Sequence, residues 1–176
     1  MSMLRYFHCI GVALHFRGDL SLANTVFLDP DWIGQAVYAA LSSDVIERQS
    51  GTFEKEKLFA FWQKKGYKES ECNHLLNLML KDNFDVCYQT DDKRFVVPLK
   101  LSSKTPDYDW NSKDNLSFRF QYPFMPAGLL SRLIVRMNED IHENCVWLKG
   151  VVLKKKNIFA EIKQDMTAEQ LWYQAY

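Results

Sequence analysis

The first residues to weigh are those whose side chains bind metals or attack carbonyls. His8 and Cys9 are adjacent and both of ligand type, but no second pair at ligand spacing stands elsewhere to complete a site. Cys9, Cys72, Cys87 and Cys145 are placed singly, with no C-x-x-C pair, and read as reduced thiols rather than as a disulfide framework. Asp29 and Asp31 flank Pro30, and two carboxylates so close would make an acid/base pair or a cation site. The same three residues also form a helix start: Asp29 caps, Pro30 takes the first helical position and Asp31 sits at the positive end of the dipole. The series Trp32, Ile33, Ala36, Val37, Ala40 and Leu41 that follows favours the cap. Ser131 lies among apolar neighbours at helical spacing, the wrong setting for an exposed nucleophile. There is no phosphate loop, no glycine-rich dinucleotide turn, no G-x-S-x-G elbow and no kinase signature. The expectation is a chain that is not an enzyme, with no catalytic residue, no cofactor and no metal.

What remains is the chemistry of recognition, concentrated between Leu116 and Met137. Leu116, Phe118, Phe120 and Tyr122 fall on one side of an extended strand, with Ser117, Arg119 and Gln121 on the other. Pro123, Pro126 and Gly128 break the ladder. Leu129, Leu130, Leu133, Ile134 and Met137 then recur at helical spacing. Phe118, Phe120, Leu129, Leu133 and Ile134 are expected to fill a core. Tyr122, Phe124, Met125, Arg132 and Arg136 are the candidate contact residues, because aromatic, Met and Arg side chains are enriched at interfaces. Arg136 also stands four residues before Asp140, a spacing that allows a modest ion pair. Trp172 and Tyr173, with Tyr176 after them, add a second candidate contact in the tail.

The elements that must position these residues follow from pattern. The chain has 176 residues, with 22 Lys plus Arg balanced by 22 Asp plus Glu. That balance argues against a general polyanion binder, which shows a basic footprint. The apolar start, Leu4 to Phe16, is too short for a membrane span and reads as a first helix, and a cytoplasmic protein without a membrane partner is expected. A short strand is expected over Thr25 to Asp29, then the helix from Pro30. Thr52 is expected to cap the next helix, with Leu58, Phe61 and Trp62 on its inner face. Cys72, Leu75, Leu76 and Met79 mark a further helix, and Asp85 to Thr90 and Arg94 to Pro98 a hairpin. Helix, strand, helix, helix, hairpin is the order of a winged helix. A nucleic-acid-binding domain is therefore the alternative reading. The surface of its reading helix, with Lys68, Glu69, Glu71, Asn73, Lys81 and Asp82, and a wing tip of Asp91 and Asp92, lack the clustered cations that phosphates require. No nucleic acid is expected as partner.

Leu101 to Asn115 is polar and reads as a linker pinned by Trp110. Cys145 to Leu153 and Asn157 to Ile162 read as strands, with Lys154, Lys155 and Lys156 as a solvated turn. The expected fold is α+β: a winged-helix-like lobe over residues 1–100, a linker over 101–115, and an antiparallel sheet lobe with a packed helix over 116–176. The tail is expected to be a strand cut off from a longer protein, so that the second lobe ends early and leaves an open edge.

Taken together, these segments resemble the COR domain of Roco proteins. The resemblance is carried in order by GVALHF (Gly11 to Phe16), TVFLDPDWIGQAVYAAL (Thr25 to Leu41), GTFEKEKLFAFW (Gly51 to Trp62), LLNLMLKDNFDVCY (Leu75 to Tyr88), RFVVPLKL (Arg94 to Leu101), FRFQYPFMPAGLLSRLIVRM (Phe118 to Met137) and CVWLKGVVL (Cys145 to Leu153). It implies two lobes, the first like a winged helix and the second a sheet with helices. It implies a non-catalytic module of dimerisation and GTPase regulation by protein–protein interaction, packed on an adjacent Roc GTPase domain and forming a homodimer through the second lobe. The chain contains no Roc domain itself, so nucleotide binding is not carried over.

Overall fold

The computed structural model describes residues 3–80, 84–91, 93–108, 110, 115–122, 126–165 and 170–175. Helices and antiparallel sheets alternate along it, an α+β architecture with two sheets among the described residues.

The first lobe is built on helices α2 (Pro30–Leu41), α4 (Lys55–Lys64) and α5 (Glu69–Met79), with a short α3 (Asp44–Glu47). The start of α2 follows from its first residues: the Trp32 N–H donates to Asp29 Oδ1 at 3.1 Å, and Pro30 occupies the first turn. The three long helices bury Ile33, Ala36, Leu58, Trp62, Cys72, Leu75 and Met79 in one core. Trp62, fully buried, satisfies its indole by donating to the Ala36 carbonyl at 3.1 Å.

The N-terminal helix α1 is shorter than expected, Met3–Cys9. Gly11 turns left-handed (φ 72°), and Leu14 then exchanges backbone hydrogen bonds with Phe27 at 2.8 and 2.9 Å. That single bridge is all that forms of the strand expected over Thr25 to Asp29. Thr52 does not cap a helix. It opens strand β1 (Thr52–Glu54), and its hydroxyl donates to the Gln49 carbonyl at 2.8 Å. The hairpin strands are β2 (Tyr88–Gln89) and β3 (Arg94–Val96), shorter than expected. β1 pairs with β3, giving the order β1-β3-β2, and Phe53 stacks on Phe95 with ring centres 5.3 Å apart.

The second lobe is a five-stranded antiparallel sheet of β4 (Leu116–Gln121), β5 (Ile141–Trp147), β6 (Gly150–Lys155), β7 (Ile158–Asp165) and β8 (Gln170–Ala175), in the order β4-β8-β7-β6-β5. The stretch Cys145 to Leu153, expected as one strand, folds back at Leu148 and Lys149 into a hairpin. Gly150 is required there, because a Cβ would run into the Trp147 indole. Helix α6 (Leu129–Arg136) covers one face: Leu130, Ile134 and Val135 pack with Val151, Leu153, Ala160 and Ile162. Tyr108 and Trp110 cover the other face, over Cys145, Trp147 and Val152. Covering on both sides explains why β6 reads as an unbroken apolar run instead of an alternating one. No helix among the described residues is long and apolar enough to cross a membrane.

Candidate interaction surface

The lobes meet through side chains rather than through the connecting segment alone. Tyr88 and Val96, from the first lobe's hairpin, belong to the same buried cluster as Leu130, Ile134 and Val135 of α6. Burial pushes the Tyr88 hydroxyl up to about 12. At the rim of this joint, Arg136 Nε donates to Asp85 Oδ2 at 2.8 Å. The Asp85 side chain is 1% exposed and that of Arg136 61% exposed. Of the two roles open to Arg136, a contact residue or an ion pair with Asp140, the structure has it reach neither Asp140 nor open solvent alone but Asp85 of the first lobe. Asp140 comes within 3.6 Å of Lys155.

The segment between the lobes crosses the outer face of the sheet as a strap. Leu148 N–H donates to the Ser102 carbonyl at 3.0 Å. Tyr108 packs on Trp147 and donates its hydroxyl to Glu161 Oε1, and Lys163 Nζ reaches the same oxygen at 2.6 Å. Glu161 is a buried carboxylate whose position is fixed by these two donors. Trp110, the expected pin, is in the same cluster.

Of the candidate contact residues, Tyr122 is half-buried and packs against the cluster under α6. Arg132 is exposed on α6. Phe124 and Met125 lie outside the described residues. Trp172 and Tyr173 are on β8, which lies between β4 and β7 with its backbone paired on both sides: Trp172 is in register with Arg119 and Lys163, and Tyr173 with Phe118 and Ile162. The tail is therefore an inner strand and not the open edge expected of it. The sheet's edges are β4 and β5.

The strand β4 also departs from expectation. Leu116, Phe118 and Phe120 are 68%, 49% and 51% exposed, so Phe118 and Phe120 do not fill the core. Ile134 is buried, and Leu129 and Leu133 are half-buried. Sequence reasoning correctly placed the three β4 side chains on one side of a strand, but the α6 helix covers β6 and β7 and stops short of them. A second apolar stripe, Met3 and Tyr6 of α1 with Ile10 just after it, is exposed on the first lobe, where α1 buries none of its residues.

Candidate chemistry elsewhere resolves into structure. The Ser131 hydroxyl donates to the Gly128 carbonyl at 2.9 Å. His8 Nδ1 accepts from the His15 N–H at 3.1 Å. Among the described residues no group of three or more His, Cys, Asp or Glu is placed to hold a metal ion. On α5, Lys68 N–H donates to Glu71 Oε2 at 2.7 Å and Asn73 Nδ2 to the Glu69 carbonyl at 3.0 Å, so these polar groups are engaged within the helix. Asp91 closes the turn between β2 and β3, accepting from the Lys93 and Arg94 N–H groups and from Arg94 Nε. Those donors hold its carboxyl below the usual range, the Lys93 N–H most of all.

A helical lobe with a small sheet, joined to an antiparallel sheet lobe, defines an α+β module of two lobes. The chain belongs to the COR (C-terminal of Roc) family of Roco proteins: the COR-A domain matches residues 1–101 and the COR-B domain residues 113–174. Similar proteins include a Roc-COR-CHAT protease from an unknown prokaryotic organism, 26% identical over 99% of this chain. Another Roc-COR-CHAT protease, from Runella zeae, is 28% identical over 88% of it. The chain spans only 17% and 16% of the lengths of these two relatives. The probable serine/threonine-protein kinase pats1 of Dictyostelium discoideum is 25% identical over 89% of this chain and 5% of its own length. The solved structure of Methanosarcina barkeri Roco2 RocCORdC bound to GDP aligns over 53% of this chain and 29% of that chain, at 28% identity and a TM-score of 0.46.

Proposed function

We propose that this chain is a non-catalytic regulatory module that couples an adjacent Roc-type GTPase domain to a dimer state. The observation that carries the reading is the joint: a core shared by both lobes, closed by Arg136 on the buried Asp85. Packed cores have discrete arrangements and do not deform continuously, so a displacement imposed on one lobe is passed to the other. Each lobe also keeps an apolar stripe in solvent, and such stripes mark contacts. We read the α1 stripe as the side toward the GTPase domain and the second lobe as the dimer side. The order of helices and strands in the first lobe, with β1 pairing β3, supports reading it as a winged-helix scaffold used for protein contact. In this reading the module works beside its GTPase domain in the cytoplasm. The protease and kinase named in the relatives are activities of those proteins, and in this reading the present chain supplies neither.

The test uses the chain together with the Roc domain of its parent protein. Calorimetry should give binding whose strength differs between the GDP-loaded and GTP-analogue-loaded Roc domain, and sedimentation should show the dimer fraction following the nucleotide. The chain alone, with magnesium present, should give no heat with GTP or GDP. Micromolar nucleotide binding by the chain itself, or a Roc domain that leaves it untouched in both states, would refute the reading.

A further inference from the structure

We propose that the joint between the lobes is a two-position hinge: the second lobe rocks on Tyr88, and the Arg136–Asp85 pair is the latch that holds the present position. This deepens the coupling reading above, on which its regulatory meaning rests, and supplies the part that moves.

The joint is narrow and has open space on both sides. Thr52 and Tyr88 are both in register with Val96, so the three side chains share one face of the small sheet. The cluster under α6 takes in Tyr88 and Val96 from that face but not Thr52. Further along it, Thr90 and Arg94 join Thr52 in lining a cleft of about 430 Å³, whose other wall is Asn144 and Val146 of β5. A second cleft, of about 320 Å³, runs between Ser21, Leu80 and Gln89 of the first lobe and Asn138 of the second. Tyr88 lines both clefts and is the ridge between them. A lobe seated on such a ridge closes one cleft by opening the other.

The walls differ in what they offer. Along β5 the pairing with β6 shifts register between Ile141 and Val146, and the intervening Glu143 and Asn144 sit at φ 45° and 57°. A bulge re-aims side chains, and this one sets Asn144 on the wall of the first cleft. Left-handed backbone at two consecutive non-glycine residues is strained, and such strain collects at switch regions. Closing the first cleft brings the Asn144 amide toward Thr90 and Arg94, groups able to hydrogen-bond with it.

The latch stands at the second cleft. The Asp85 N–H donates to the carbonyl of Leu80 at 3.3 Å, and Arg136 lies two residues before Asn138. The Asp85 side chain is buried and held by Arg136 Nε, whereas the guanidinium already stands mostly in water. Opening this cleft admits water to the carboxylate, so the pair can part without stranding a buried charge.

The test uses the full chain with Cys9→Ser, which removes the exposed thiol and leaves the three buried ones. Spin labels at Lys93→Cys and Lys149→Cys, both exposed and one on each lobe, report the distance across the first cleft. Pulsed electron paramagnetic resonance should give one dominant distance. Arg136→Gln should add a shorter one, with the ratio of the two shifted about tenfold toward it. Arg136→Lys, which keeps the charge and lacks the Nε donor, should shift the ratio the same way, and it serves if Arg136→Gln does not fold. Thr90→Trp, a wedge on the cleft wall, should remove the shorter distance again. A single unchanged distance in both Arg136 variants would overturn the hinge and leave the coupling reading standing. A shorter distance that survives Thr90→Trp would also overturn it, because the motion would not close this cleft. The hinge moving as expected, beside a Roc domain that leaves the chain untouched, would bear out the hinge and sink the coupling reading.

Discussion

Asp85 is a carboxylate with its side chain almost fully buried, on a left-handed backbone (φ 54°), answered by a guanidinium that stands mostly in water. Removing one partner of such a pair leaves a buried acceptor short of a donor, at a cost of about 1–3 kcal/mol. Arg136→Gln is therefore expected to lower the denaturant midpoint, and Asp85→Asn should restore part of the loss in the double variant, a coupling that unfolding curves of the four proteins would measure. Arg136→Lys should not substitute fully, because the bond runs through Nε. Asp29 belongs to the same scale. Asp29→Ala should cost roughly 0.5–2 kcal/mol through the lost cap. Added divalent metal should leave the wild-type melting temperature where it was; a marked rise would refute the capping role. The cap was readable from sequence because its donor is three residues away. The partner of Arg136 was not, because it lies 51 residues off and the helical spacing offered a nearer candidate in Asp140.

Elements with local signals were the legible ones. α2, α5 and the turn after Lys155 follow from caps, 3.6-residue periodicity and a charged tip. β1 did not, because Thr52 followed by Phe53 and Glu54 is as good a helix start as a strand; what decides it is Phe95, brought against Phe53 from far along the chain. Gly51 shows the constraint on that arrangement. Its φ is 83°, and a Cβ there would come within 2.8 Å of the Lys100 carbonyl carbon and the Val97 oxygen. Gly51→Ala is expected to destabilise by more than about 1 kcal/mol, measured by thermal melting. The strap makes a second prediction. Ser103, Lys104 and Thr105 are exposed, while Tyr108 and Trp110 are packed on the sheet. Trypsin should cut first at Lys104, and Trp110→Ala should speed that cut; earlier cleavage within α2 or α6 would contradict the placement of the strap. The exposed face of β4 was illegible for a related reason: alternation shows which side chains share a face, but not how far the covering helix reaches.

At the scale of the molecule, the joint carries a pH dependence. The Tyr88 hydroxyl is raised from 10 to about 12 by burial. The unfolded chain gives up this proton near pH 10, whereas the folded chain holds it until about pH 12, so the stability it contributes is complete below pH 10 and lost as pH rises through 12. The loss amounts to about 3 kcal/mol for this group. Unfolding free energies measured across that window should fall less steeply in Tyr88→Phe. Because Tyr88 sits between the lobes, the same window should loosen the joint, seen as a larger radius of gyration before global unfolding.

The position of β8 inside the sheet has a consequence for how the protein is made. Leu116 pairs with Ala175, so β4 leaves the ribosome long before the strand that holds it. At about 5–20 residues per second the nascent chain carries an unpaired aromatic strand for roughly 3–12 seconds. During that interval β4 lacks the strand that later pairs with it. Chaperone demand should therefore be greatest while β4 waits for β8, and slowing synthesis between 122 and 170 should raise aggregation without altering the finished protein's stability.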